Sequence, residues 1–367
     1  MKVIGVPEWH GMVSARALNP PEGFVFKPIA WRPSALSRIF TSPIRGGFFG
    51  SPDGACDIVE AVVLPVVTEL PWVYSVANFA EPMAFGIGGA PLPKAVRRRV
   101  LQALFDRPNF LGITYWSEAA KRSAITYGGV THGVFERKAE IVYPAIESFP
   151  DRLAVPEAPM ILFSGQFFRK GGMHVIDAYE RLLEDFPDLK LRLCCDRSRD
   201  FEVSSRRLKD LYLGKIEKLP GIELGRVERS ELVAEILPKT SVYVLPSYEE
   251  AFGFAALEAI AAGVPVVASD VFAIPEIVSH DRSGLLLPFE GNVDAKTIVS
   301  GYGVREFDQD LHGRISGWTY SAIGTILSSA DTQLRMAKEG QRHARSRFSF
   351  EAHNFRMSRV YARASSR

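Results

Sequence analysis

Short apolar runs alternate with stretches of helical periodicity along almost the whole chain. In its first part, strands are predicted at 58–66, 72–77, 112–116 and 141–143, and helices at 94–105 and 118–127. This alternation is typical of stacked βαβ units that build a parallel sheet. The first half is therefore predicted to form one Rossmann-like α/β domain.

The same pattern starts again after a break at 147–159, which contains three prolines and no clear period. We therefore divide the chain into a domain at 1–148, a linker at 149–158, a second Rossmann-like domain at 159–348 and a helix at 349–367 that packs back on the first domain. In the second domain, strands are predicted at 160–164, 189–195, 242–245 and 264–268, and helices at 173–186, 230–237 and 254–262. The segment 289–320 has no obvious period, and we interpret it as an insertion or a mobile segment.

Length and composition exclude several classes of protein. At about 100–200 residues per domain, 367 residues predict two domains. The 44 basic and 42 acidic residues are too balanced to favour a nucleic-acid partner. Three cysteines, two of them adjacent at Cys194 and Cys195, form neither a disulfide framework nor a spaced zinc site. No secretory signal and no apolar run near the ~20 residues of a membrane span are present, so we expect a cytoplasmic protein.

Two carboxylates, Glu250 and Glu258, lie with seven residues between them around the start of a predicted helix that follows the apolar strand 242–245. Gly253 lets the backbone approach a ligand, and the exposed N–H groups of a helix start favour an anion. The carboxylates accept hydrogen bonds from hydroxyl groups. This combination predicts a sugar phosphate or nucleotide sugar as ligand, and the alternative is an ordinary strand, loop and helix with solvated acids.

This acid motif resembles the donor site of the retaining glycosyltransferases of family 4, the group 1 glycosyl transferases. The resemblance extends over roughly 159–367 and also includes the segments 163–172, 221–227, 274–278, 284–286 and 348–350. It implies the GT-B fold, in which two Rossmann-like domains face each other across a cleft. It also implies a retaining hexosyltransferase that uses a nucleotide diphosphate sugar, with no metal and no further cofactor. The acceptor would be a glycan, a lipid-linked sugar or a small molecule.

By this resemblance Glu250 binds hydroxyls of the donor sugar, Glu258 takes the ribose, and Arg169 and Lys170 pair with the diphosphate and stabilise the leaving phosphate. A solvated basic loop is the alternative for the last two. The implied donor-binding set is Gly11, Arg169, Lys170, Arg226, Val227, Glu250, Phe252, Gly253, Phe254 and Glu258.

The chain departs from the family pattern at two places in the second domain. Gln166 stands where a second arginine is common, and Phe272 with Ala273 stands where a glycine pair is frequent.

The first domain matches the family more loosely, and the histidine often found at the end of the strand that follows the segment 57–60 is missing, because that strand runs through 73–78. Asn78 or Glu81 would substitute as an acceptor contact, with a plain loop role as the alternative. His10 and Gly11, near the end of a further strand predicted at the N-terminus, would contact the acceptor and the phosphate, respectively, while a structural histidine is the alternative.

The predicted helix 94–105 combines basic and apolar faces, a composition that fits anionic lipid as well as a solvated helix over the core. Peripheral membrane contact through the first domain would suit a lipid-linked acceptor. Two other functions remain open on the sequence: a nucleotide-sugar-binding protein without transferase activity, and a GT-B isomerase that acts on the nucleotide sugar itself.

Overall fold

A computed structural model describes residues 1–9, 11–33, 40–41, 50–53, 55–62, 65–80, 82–83, 86–87, 90–128, 137–300 and 303–364. The chain divides into two compact units. The first unit comprises Met1–Ala145 with Arg347–Arg367, and the second unit comprises Ile146–Ser346. Within the described ranges, no helix combines the length and the apolar composition that a membrane crossing needs.

The first unit is built on a parallel sheet of six described strands. From edge to edge their order is Ala139–Ile141, Phe110–Tyr115, Trp72–Val76, Ile58–Val62, Lys2–Val6 and Phe24–Pro28. Short antiparallel strands lie at Ala30–Pro33, Phe40–Thr41, Gly50–Asp53, Gly86–Ile87 and Ala90–Pro91. The helices are Gly11–Leu18, Lys94–Phe105, Glu118–Ser123 and Phe350–Ala362, with a π-helical turn at Ala124–Gly128.

The C-terminal helix Phe350–Ala362 belongs to this first unit through a buried polar cluster. The Glu60 carboxylate, fully buried in its strand, accepts two hydrogen bonds of 2.7 Å from the Arg16 guanidinium. The hydroxyls of Ser75, at 2.9 Å, and of Tyr361 in the helix also donate to it. A carboxylate in a fully buried strand is stable only with such partners, so this cluster fixes where the helix packs.

The second unit contains six parallel strands, which we number one to six in chain order. They are Met160–Ser164, Lys190–Cys194, Ile222–Leu224, Val242–Leu245, Val266–Ser269 and Gly284–Leu287. Across the sheet they lie in the order 3-2-1-4-5-6. The helices are Gly172–Asp185, Arg206–Lys218, Arg229–Glu231, Phe254–Ala261, Ile274–Ile277, Ala295–Ile298, Gln309–Leu327 and Ala330–Arg347. A π-helical turn lies at Leu232–Ile236 and a 3₁₀ turn at Leu237–Lys239. The strands Val299–Ser300 and Gly303–Val304 form a separate antiparallel hairpin.

The strand order of the second unit creates a topological switch point. The first and fourth strands are neighbours, and the connections that follow them lead toward opposite halves of the sheet. In open α/β sheets ligands bind at the carboxyl ends of the strands at such a point. Two loops begin there: residues 165–171 after the first strand, which we call the basic loop, and residues 246–253 after the fourth, which we call the acid loop.

Several predictions from the sequence are wrong in detail. The segment 289–320 is not a simple insertion, because it contains the start of the long helix Gln309–Leu327, whose Ile315 and Ile323 are buried in the core. Its many glycines and polar residues hide the helical period. The helix predicted at 230–237 is broken into α, π and 3₁₀ turns, and the helix predicted at 118–127 ends at Ser123 and continues as a π-helical turn.

Candidate functional site

Two glycines shape the basic loop and bring it against the acid loop. Gly165 and Gly171 have φ angles of 99° and 77°, a region that side chains other than glycine rarely adopt. A Cβ atom on Gly171 would come within 2.1 Å of the Pro246 carbonyl oxygen. Glycine is therefore required where the two loops touch, and this contact places the side chains of Arg169 and Lys170 next to the acid loop.

The acid loop ends in a glycine that opens the helix Phe254–Ala261. Gly253 has a φ angle of 105°, and a Cβ atom there would lie 2.5 Å from Ile274. Phe252 before it is buried, whereas Phe254 after it is 37% exposed. The first N–H groups of this helix have no partner within the helix, so they are oriented to bind an anion.

Two cations and two carboxylates meet across these loops. The ammonium of Lys170 lies 2.5 Å from a carboxylate oxygen of Glu250 and 3.3 Å from the carbonyl oxygen of Glu249. The guanidinium of Arg169 lies 3.0 Å from the carboxylate of Glu249. The Glu250 side chain is only 9% exposed and the Lys170 side chain 22% exposed, so this pair is largely shielded from water.

The second acid of the motif, Glu258, lies one turn into the helix Phe254–Ala261 and pairs with Arg229. Their charged groups are 2.8 Å apart, and the hydrogen bond to Glu258 raises the pKa of Arg229. Arg226 and Val227 lie in the loop after the third strand, three and two residues before Arg229. Arg226 lines a pocket of about 480 Å³ together with Asp196 and Arg197.

A chain of buried hydrogen bonds connects the acid loop to the helix Gln309–Leu327. The backbone N–H of Tyr248 donates to the carbonyl of Arg169 at 3.3 Å, and the Tyr248 hydroxyl lies 2.5 Å from Nε2 of His174. The other ring nitrogen of His174 lies 3.0 Å from the hydroxyl of Ser316. Burial lowers the pKa of His174 and raises the pKa of Tyr248, so both groups stay neutral. The long helix Gln309–Leu327 thus holds both loops in place.

A second polar contact fixes the same helix to Gly172–Asp185. Asp177 accepts hydrogen bonds from Lys215 at 2.8 Å and from Tyr212 at 2.8 Å, and it lies 2.5 Å from Nε2 of His312. Burial opposes the charged form of Asp177, but these hydrogen bonds outweigh burial and lower its pKa to about 2. Asp177 is therefore ionised at neutral pH, as a structural anchor for His312.

The two departures from the family pattern have structural consequences. Gln166 takes part in the basic loop, because its side-chain oxygen lies 3.4 Å from Nη1 of Arg169. Phe272, at the place of a frequent glycine, has a φ angle of 49°. A left-handed conformation costs roughly 1–2 kcal/mol for a residue with a side chain, so this loop carries local strain beside the fifth strand.

The structure gives less information on the site residues that are predicted in the first unit. Gly11 is not in a loop but begins the helix Gly11–Leu18, and a Cβ atom on it would meet nothing within 4 Å. Asn78 follows the strand Trp72–Val76 and accepts a hydrogen bond from the N–H of Ala80 at 2.9 Å. His10 and Glu81 lie outside the described residues. Among the residues that the structure describes, no group of three or more His, Cys, Asp or Glu side chains is arranged to hold a metal ion.

Four residues of the site went unassigned in the sequence analysis: Glu249, Arg229, Tyr248 and His174. The first two have a weak signal, since Glu249 adjoins Glu250, and Arg229 follows the predicted contacts Arg226 and Val227 by three and two positions. His174 and Tyr248 have none, because their contact joins positions 74 residues apart.

Part of the chain, most of it in the second unit, is similar to a known sequence family. Residues 146–297 match the family model of the glycosyl transferases group 1. The chain is 34% identical over 166 residues to an alpha-maltose-1-phosphate synthase of Mycolicibacterium smegmatis, covering 41% of this chain and 40% of that protein. It is 30% identical over 225 residues to a D-inositol 3-phosphate glycosyltransferase of Corynebacterium efficiens, covering 60% of this chain and 46% of that protein. The matches thus span less than half the length of these relatives.

Solved structures share the fold along the whole chain. A sucrose-phosphate synthase from Thermosynechococcus elongatus superimposes with a TM-score of 0.60 at 16% identity and 100% coverage of both chains. Anabaena HepE in complex with UDP-glucose gives a TM-score of 0.61 at 14% identity and 99% coverage of both. The chain therefore has the α/β architecture of the GT-B fold, with two Rossmann-like units.

Proposed function

We propose that this protein is a retaining glycosyltransferase that moves a hexosyl group from a nucleotide diphosphate sugar to an acceptor hydroxyl. The observation that carries the proposal is the meeting of Arg169, Lys170 and Glu250 at the switch point of the second unit. The match of residues 146–297 to the glycosyl transferases group 1 and the names of the relatives support it.

In the proposed reaction the bond between the anomeric carbon and the leaving phosphate oxygen breaks first. Arg169 and Lys170 stabilise the negative charge that develops on the phosphate, since fixed cations in a preorganised site lower the energy of such a transition state. Glu250 holds the sugar through its hydroxyls, and Glu258 holds the ribose. The acceptor oxygen then bonds to the anomeric carbon on the face that the phosphate left, and its proton passes to that phosphate. The two cations supply the positive charge that a metal ion would otherwise supply, so we propose that no metal is needed.

A donor panel tests the activity. Sugars linked to UDP, GDP, ADP, CDP and dTDP are incubated with the protein, with and without glycan and small-molecule acceptors, and released nucleoside diphosphate is measured. We expect release that depends on the acceptor, and an anomeric proton coupling in the product that matches that of the donor. Binding without turnover across the panel would contradict the proposal and favour a nucleotide-sugar-binding protein. Conversion of the donor without acceptor would instead indicate an isomerase.

We propose in addition that the first unit contacts anionic lipid through the exposed face of the helix Lys94–Phe105. Leu101, Leu104 and Phe105 bury its inner face, whereas Lys94, Arg98 and Arg99 are exposed. The Lys94 ammonium donates to the carbonyl of Thr126 at 3.2 Å, which places the π-helical turn Ala124–Gly128 beside this helix. The exposed apolar side chains of this surface are Val96, Ile125 and Tyr127, which are 41%, 54% and 38% exposed. Basic groups around apolar side chains suit an anionic bilayer surface.

Charge reversal tests this surface. The variant Arg98→Glu/Arg99→Glu should bind vesicles of 70% phosphatidylcholine and 30% phosphatidylglycerol at least ~10-fold more weakly, because each basic residue near such a surface contributes about 1 kcal/mol. Cosedimentation at 0.1 M salt measures the effect. The control Arg206→Glu/Lys218→Glu makes the same charge change on an exposed helix of the second unit. Equal loss in both variants, or none in either, would rule out this surface.

A further inference from the structure

The acid loop contains a third carboxylate, Glu249, that the proposed reaction does not use. We propose that Glu249 is a competing counter-ion for Arg169, which weakens binding of the diphosphate and speeds release of the nucleoside diphosphate product. This inference rests on the proposed function, because it assigns Arg169 to the diphosphate. It makes Glu249 a residue that sets the affinity for product and not one that touches the reacting atoms.

The geometry separates Glu249 from its neighbour Glu250. The Glu250 side chain is 9% exposed and pairs with Lys170, whereas the Glu249 side chain is 42% exposed and pairs with Arg169 at 3.0 Å. Glu249 can therefore swing into water at little cost, and Glu250 cannot.

The partner of Glu249 is held more firmly than Glu249 itself. The backbone carbonyl of Arg169 accepts a hydrogen bond from the N–H of Tyr248. The side chain of Arg169 is 25% exposed and contacts Gln166. When a diphosphate binds, the guanidinium stays in place and the carboxylate leaves. The pair is thus an exchangeable contact, with the phosphate and Glu249 as rival partners of the same cation.

The charges at the site show in which direction Glu249 changes the affinity for a diphosphate. Arg169, Lys170, Glu249 and Glu250 together carry two positive and two negative charges. A diphosphate adds further negative charge, so Glu249 repels it and also occupies its cation. Neutralising Glu249 should tighten nucleoside diphosphate binding by roughly five- to thirty-fold, since the groups are close but partly screened by water.

The test compares the wild type with Glu249→Gln. Calorimetry measures the dissociation constants of UDP, GDP and ADP and of the corresponding nucleosides, at 50 mM and 500 mM salt. We expect tighter binding of the preferred diphosphate, no change for its nucleoside, and a smaller effect at high salt. The matched control is Glu339→Gln, which removes a carboxylate from a surface pair with Arg342 in the helix Ala330–Arg347 of the same unit.

Two further measurements keep the inference falsifiable. In a protein that also carries Arg169→Gln, the substitution Glu249→Gln should tighten nucleoside diphosphate binding much less, because Glu249 acts on the diphosphate through the guanidinium of Arg169. Stopped-flow displacement should show slower release of the diphosphate from Glu249→Gln. An unchanged or weaker affinity of Glu249→Gln, or equal tightening of the nucleoside, would overturn the inference. If no nucleoside diphosphate binds the wild type, the proposed function itself fails, which is a distinct result.

Discussion

Glu250→Gln should reduce sugar transfer by on the order of 10²–10⁴-fold while the protein remains folded. Hydrogen bonds from sugar hydroxyls to a carboxylate contribute roughly 1.5–3 kcal/mol each, and a covered carboxylate holds its partners in a fixed position. The Glu250 side chain is 9% exposed and is oriented by Lys170. Glutamine has nearly the same shape as glutamate but carries no charge, so a loss of sugar transfer in this variant reports on the carboxylate of Glu250 and not on packing. Initial rates with the best donor from the panel measure the effect.

Binding experiments separate the two ends of the donor in this variant. Because Glu250 is assigned to the sugar and not to the diphosphate, the affinity for the nucleoside diphosphate should be unchanged or somewhat higher, since Lys170 loses its partner. As a control, Glu339→Gln removes a carboxylate that is 33% exposed in the helix Ala330–Arg347 of the same unit, and this variant should transfer sugar at the wild-type rate. Wild-type turnover by a well-folded Glu250→Gln protein would remove the central claim about this site.

Glu60→Leu should destabilise the first unit by about 3–5 kcal/mol, because it leaves the guanidinium of Arg16 buried without its counter-charge. The hydroxyls of Ser75 and Tyr361 lose their acceptor as well. Chemical denaturation monitored by circular dichroism measures the change in the free energy of unfolding. The double variant Arg16→Met/Glu60→Leu is the control, and it should recover most of the loss, since apolar side chains can replace a buried ion pair. A single variant as stable as the wild type would show that the pair contributes nothing.

The pH dependence of this pair has a defined sign. Burial alone would raise the pKa of Glu60, but the charge of Arg16 and the hydrogen bonds from Arg16, Tyr361 and Ser75 outweigh burial and lower it. A carboxylate whose folded pKa is lowered contributes stability that is fully present above its unfolded pKa of about 4.3. The difference in free energy of unfolding between wild type and Glu60→Leu should therefore be constant from pH 8 to pH 5. It should shrink only as the pH falls further, through the folded pKa of Glu60.

Much of the second unit could be predicted from the sequence, because local patterns determine it. The strands at 160–164 and 242–245 were placed correctly, and the strand predicted at 189–195 is observed at Lys190–Cys194. The glycines also follow from local rules, since Gly253 occupies a backbone conformation that other residues avoid. The segment 289–320 could not be predicted in this way. Its helix is stabilised by burial against Gly172–Asp185, and a weak internal period does not reveal such a contact.

The sequence by itself determined that an acid motif follows the strand 242–245 of an α/β unit and that Arg169 and Lys170 follow the strand 160–164. Both statements rest on periodicity and on motif spacing, which are properties of neighbouring residues. Only the tertiary structure decided which cation pairs with which acid, and that Glu250 is covered while Glu249 is exposed. The physical reason is the 3-2-1-4-5-6 strand order, which brings loops 80 residues apart in the chain to one point of the sheet. The exposure of these carboxylates and their pairing with the two cations depend on contacts between side chains far apart in the chain, and no local sequence pattern reveals such contacts.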